Sequence, residues 1–184
     1  VPALEAGAGH LASTTVSIPP GTAQGTWYLI AKADADAVVS EAAETNNVVT
    51  RSIRIGADLT VSTVTAPSDA GAGQTVTLTD TTRNNGGGTA DASTTRVYLS
   101  ADITLDAQDA LIGTRSVPAL AAGTSHSAST PATIPPDTVP GTWQILAVAD
   151  AAEVVTETVE TNNVYRRAID IGPDLTVSAL TVPA

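Results

Sequence analysis

Between Asp150 and Asn163 the chain gathers Asp150, Glu153, Glu157, Glu160, Asn162 and Asn163. Carboxylate and amide oxygens crowded in this way are the ligands of a hard cation, and a Ca²⁺ ion takes six to eight of them. The competing reading is a solvated acidic turn. The same residue types recur at Asp34, Asp36, Glu41, Glu44, Asn46 and Asn47. Glu41 and Glu44 keep the spacing of Glu157 and Glu160, but an acid moves from the position of Glu153 to that of Asp36, which a strict coordination sphere tolerates poorly. Asn46 and Asn162 read more simply as turn residues whose amides bond nearby backbone. Asp102, Asp106 and Asp109 form a weaker calcium set, because the sixth-position Gly and closing Glu of an EF-hand loop are missing. A polar connection between edge strands is the expectation there.

No catalytic constellation emerges. His10 and His126 occupy equivalent positions in Ser/Thr-rich segments and read as surface histidines, and no Gly-x-Ser-x-Gly elbow supplies an activated nucleophile. The absence of Cys removes disulfides and thiolate metal sites. A net charge of −11 with eight basic residues argues against nucleic acid or an anionic membrane as partner. Arg51 and Arg167 share a face with inward isoleucines, so each must sit at a strand end or meet a carboxylate, and pairing with Glu157 or Glu160 across the hairpin is expected. Lys32, the single lysine, aligns with Val148, which excludes a Lys–Asn cross-link in every unit.

The acidic loop needs a hairpin to hold it. Gly141–Asp150 carries apolar residues on both faces, as a central strand does, and Val164–Ile171 alternates like a half-buried one. Trp143 beside Ile145 is expected in the core. Sliding the chain by 116 positions aligns residues 1–68 with 117–184 without a gap, and 40 of those 68 positions are identical. A period of this length marks an independent domain and not a solenoid turn. Residues 57–172 then form one complete unit, 1–56 the C-terminal part of a preceding one, and 173–184 the first strand of the next. A unit of that size buries about two-thirds of its unfolded surface and needs no staple. Within it, Asp58–Thr65 opens the unit. Gln74–Arg83 places Val76 and Leu78 inward, Ser93–Ser100 does so with Val97 and Leu99, and strands follow at Leu111–Ser116 and Thr124–Ile134. The run Asn84–Gly88 is expected to supply positive φ for a tight turn or bulge. Short strands, frequent turn signals and no helical period predict an all-β fold of tandem immunoglobulin-like sandwiches, about seven strands each. The brief linker Gly56-Ala57 and the fixed φ of Pro173 predict a stiff row of units.

Asp58-Leu59 opening a unit, Arg83-Asn84-Asn85-Gly86 after the second strand, Tyr98-Leu-Ser-Ala-Asp102, and Glu157-x-x-Glu160-x-Asn162-Asn163 together resemble the CARDB module, the cell-adhesion-related domain found in bacteria. The resemblance spans the complete unit and both flanks. It implies immunoglobulin-like domains of secreted or surface proteins, in arrays or beside peptidases, and it implies no ligand. The function expected is a structural or adhesive array on a bacterial surface or in an extracellular fibre. Its partners would be neighbouring repeats, copies of the same chain, other surface proteins or glycans. The alternative is an accessory module of a secreted hydrolase that binds peptide or glycan. No apolar run of about 18 residues is present to insert in a membrane. Both ends are expected to be a window on a longer array, with neighbours supplying the strands equivalent to Gln74–Arg83 and Ser93–Ser100.

Overall fold

In Thr75–Asn84 every second residue is buried, so the strand turns Val76 and Leu78 inward and leaves Thr75 and Thr77 in water. The same alternation recurs in Ser93–Ser100, Ser125–Thr133 and Val164–Ile171. The computed structural model describes residues 2–173, 175 and 178–180, and contains no helix among them. Ten strands form: β1 (Gly25–Lys32), β2 (Val48–Ile55), β3 (Leu59–Thr65), β4 (Asp69–Ala70), β5 (Thr75–Asn84), β6 (Ser93–Ser100), β7 (Ala110–Val117), β8 (Ser125–Thr133), β9 (Gly141–Val148) and β10 (Val164–Ile171).

Strands β3 to β10 build a sandwich. One sheet has the order β4-β10-β9-β6-β7 and faces a second with the order β3-β5-β8. Between them lie Leu59, Leu78, Ile134, Val97, Leu99, Ile145 and Ile169, each almost fully buried. Seven of these strands are long, in line with the expected count, and β4 is a two-residue eighth. After a register shift between Val61 and Thr63, the chain leaves the small sheet and β4 joins the large one, parallel to β10. Ser68 and Ala70 carbonyls there accept the amides of Asp170 and Gly172, each at 2.9 Å.

The β1–β2 hairpin copies β9–β10 position for position: Gly25 faces Ile55 as Gly141 faces Ile171, and Lys32 faces Val48 as Val148 faces Val164. Their surroundings differ. Ile145 and Leu146 are wholly buried, whereas Leu29 and Ile30 are 42% and 68% exposed. Residues 9–17, which align with β8, form no strand, because the chain holds no counterpart of β5 for them to pair with. The strand expected over 173–184 falls largely outside the described residues.

Two expectations need correction. Trp143 is half-buried at the rim of the core, and its indole N–H donates to the carbonyl of Val139 at 3.0 Å; a ring carrying a polar N–H settles where that donor finds a partner. The glycines of Asn84–Gly88 do not supply positive φ, which occurs at none of these five residues. They are there for closeness, since a Cβ on Gly86 would lie 2.3 Å from the Gly56 carbonyl oxygen.

Candidate functional site

The acidic loop leaves β9 at Ala149, whose N–H donates to the Asn163 carbonyl at 2.9 Å and closes the neck. Asp150 follows with φ +43°, and its Oδ2 accepts the amide of Val155 at 2.8 Å. Glu153 also lies in the left-handed region, at φ +52°. Further on, Glu160 Oε1 accepts the amide of Glu157 at 2.9 Å, and Asn163 Nδ2 donates to Glu157 Oε1 at 3.1 Å. The other oxygen of Glu157 accepts the amide of Leu59, at the start of β3. Next to that contact the Thr158 amide donates to Ala57 O at 2.8 Å, and Asn162 Nδ2 donates to Asp58 Oδ1 at 2.8 Å. Asn162 therefore reaches a side chain far away in sequence, and not the nearby backbone expected of it.

Glu157 is the chemical oddity of this loop. Burial pushes its pKa up to about 7, and the charges of Glu160 and Asp150 push the same way; the donors Leu59 and Asn163 pull it back only in part. The first copy builds a similar loop, with one more amide held by its leading Asp. Asp34 takes the amides of Val38 and Val39 at 3.0 and 3.1 Å, Glu44 takes that of Glu41 at 3.1 Å, and Asn47 donates to Glu41. Glu41, Glu44 and Asn46 are exposed, and Asp36 sits on the surface of the same turn.

The second acidic loop is a chain of local turns. Asp102 Oδ1 accepts the Thr104 amide at 2.6 Å, Asp106 Oδ1 that of Gln108 at 2.8 Å, and Asp109 Oδ2 that of Asp106 at 2.9 Å. Arg166 Nε donates to Ile103 O at 2.6 Å, which draws this loop over the outer face of β9, where Leu146 is wholly buried. Between the two acidic loops opens a cavity of about 530 Å³ whose lining includes Tyr98, Leu105, Val148, Asp150, Glu160 and Asn163. Among the described residues, no three His, Cys, Asp or Glu side chains are grouped to hold an ion.

Arg167 does not meet Glu157 or Glu160. Its guanidinium donates instead to the carbonyls of Val64 and Ala66, at 3.4 and 2.9 Å, at the end of β3. Nor is His126 a free surface histidine. Its Nδ1 accepts from Arg115 Nη1 at 3.1 Å, and Arg115 forms a buried ion pair with Asp80 through Nη2 and Nε. Thr82 Oγ1 accepts from Arg115 at 2.9 Å and bonds Thr95 Oγ1 at 2.8 Å, so the cluster ties β7 and β6 of one sheet to β5 and β8 of the other. Its signal lay in the sequence: Asp80 and Arg115 are charges at inward-facing positions of two alternating strands. Asn84, wholly buried, is a second polar knot, accepting from Asp58 and Gly86 amides and donating to the carbonyls of Gly88 and Leu120.

A two-sheet sandwich whose acidic loops are wired to backbone defines an all-β module. The CARDB family model matches residues 1–51 and 56–167, and the chain belongs to the CARDB family, a non-catalytic, adhesion-related domain family. Among solved structures, a CARDB domain from Pyrococcus furiosus, crystallised in complex with di-metal ions, is 23% identical over 64% of this chain and 90% of its own, with a TM-score of 0.49. Its solution structure is 21% identical over 64% and 96%, with a TM-score of 0.47. A β-glucosidase from Listeria innocua is similar at 16% identity over 65% of this chain and 17% of its own, with a TM-score of 0.44. A comparison with curated proteins finds no match.

Proposed function

We propose that the chain is part of a tandem array of CARDB modules that works as a structural and adhesive spacer on a bacterial surface or in an extracellular fibre. In this reading residues 57–172 are one complete module, 1–56 the C-terminal part of its predecessor and 173–184 the opening strand of its successor. The observation that carries it is a pair of similar loops: in one, Glu157 and Asn162 grip residues 58–59 of their own unit, while their counterparts Glu41 and Asn46 are exposed, and in this reading they hold the corresponding opening segment of the preceding unit. Partners are neighbouring repeats or copies of the chain, then surface proteins; glycan binding belongs to the alternative reading. Sedimentation of the chain with insoluble cell-wall polysaccharide tests the reading. A spacer stays in the supernatant; retention that saturates would replace it with the accessory-module reading, in which the chain binds glycan for a secreted hydrolase.

A Ca²⁺ ion in the cavity beside the acidic loop is a second proposal, favoured by one observation. Asp150 Oδ1 and Asn163 Oδ1 are buried without a hydrogen-bond partner, and both residues line that cavity. Asp34 uses both of its oxygens where Asp150 uses one. An ion there would take those two oxygens and fill the rest of its shell with water, while Glu157 stays engaged with β3. A ligand of the folded state at a hundred times its Kd stabilises by about 2.7 kcal/mol. Millimolar Ca²⁺ should thus raise the melting temperature against EDTA at constant ionic strength, and D150N should abolish the rise. Superimposable melting curves would remove the ion from the account.

A further inference from the structure

The link between the hairpin and the sandwich, Gly56–Leu59, is buried throughout. It passes between two loops, and both hold it by its backbone. On one side Asn84 Oδ1 accepts the Asp58 amide at 3.1 Å, the Asn85 amide donates to Asp58 O at 2.7 Å, and the Gly88 amide donates to Gly56 O at 2.8 Å. On the other, Thr158 N donates to Ala57 O at 2.8 Å and Glu157 accepts from Leu59 N. Three consecutive carbonyls and two amides are therefore fixed from outside the segment.

The same two loops also touch the hairpin's side of the junction. A Cβ added at Gly56 would meet Gln24 and Thr158, each at 3.0 Å, and one added at Gly87 would meet Arg54 O at 3.3 Å and nothing else within 4 Å. Gly87 and Thr158 thus form a seat on the sandwich for the end of residues 1–56. A hinge needs backbone that is exposed and free to change φ and ψ. This segment could rotate only by breaking bonds to buried partners, which is costly.

We propose that Gly56–Leu59, held between loop 84–88 and loop 157–162, is a rigid coupler that sets the orientation of one repeat on the next, with Gly87 and Thr158 as its docking seat and the preceding repeat as its occupant. The glycine run exists to let backbone lie on backbone, and Glu157-x-x-Glu160-x-Asn162-Asn163 is the coupler's catch. The proposal rests on the tandem-array reading, but its test reads geometry and not adhesion, so either can fail alone.

Because the chain has no Cys, a cysteine pair replacing Lys32 and Thr77, both exposed, takes two spin labels without background. Pulsed electron paramagnetic resonance on the full chain should then give one narrow distance distribution. Insertion of Gly-Ser-Gly-Ser before Gly56 should widen it at least twofold. G87F, whose ring is built toward the hairpin side, should shift or widen it while leaving the melting of the sandwich unchanged. A wild-type distribution as wide as that of the insertion variant would overturn the proposal, as would a G87F distribution identical to wild type.

Discussion

Burial dominates the titration of Glu157, and the sign of its effect on stability is the reverse of the common one. Its folded pKa stands near 7 against an ordinary value of 4.5, so the folded chain holds this proton more tightly than the unfolded chain does. This group's contribution is present in full below about pH 4.5 and is lost as pH rises through 7. The complete unit should gain stability between pH 8 and pH 5, by at most about 3 kcal/mol from Glu157, and E157Q should flatten that slope in urea titrations. An unchanged slope in E157Q would assign the pH dependence to other groups. At Asp80 the logic is that of an ion pair broken on one side. D80A leaves Arg115 buried without its carboxylate and should cost about 3–5 kcal/mol in urea denaturation. The spacing of Glu157, Glu160, Asn162 and Asn163 was legible as a special loop, but its use was not. The groups it holds lie at residues 57–59, far away in the chain, and short-range spacing carries no trace of them.

Strands were the most legible elements, because alternation is a local property: β5 and β6 fall where the inward Val76, Leu78, Val97 and Leu99 put them. Where pairing decides, the pattern alone is not enough. The residues that align with β8 remain without a strand in the first copy, although four of the nine are identical. Two-residue β4 was invisible for a similar reason, since it exists through its bonds to β10 and not through a pattern of its own. The central strand β9 shows a finer limit. Its double-sided apolar character was read correctly, but Trp143 stands at its half-buried end. W143A should therefore cost about 2 kcal/mol, roughly half the loss expected of a fully buried aromatic ring. A loss of 4 kcal/mol or more by denaturant melts would place the ring in the core after all.

At the scale of the whole chain, the 116-residue offset aligned two hairpins that the structure builds in the same register, and the family match covers both. Composition excluded more than it revealed, because a charge of −11 says nothing of which acid is buried. The route by which β3 passes into β4 has a mechanical consequence. When an array is stretched, tension enters this unit at Gly56 and leaves at Gly172, so β4 is drawn toward one end and its parallel neighbour β10 toward the other. The bonds from Asp170 to Ser68 and from Gly172 to Ala70 lie across that pull and are sheared together, where an antiparallel hairpin loaded at its open end would unzip bond by bond. In the proposed array the β4–β10 clasp is thus a shear contact in series with the β3–β5 pairing, which lies between Gly56 and β4 and takes up the pull before it.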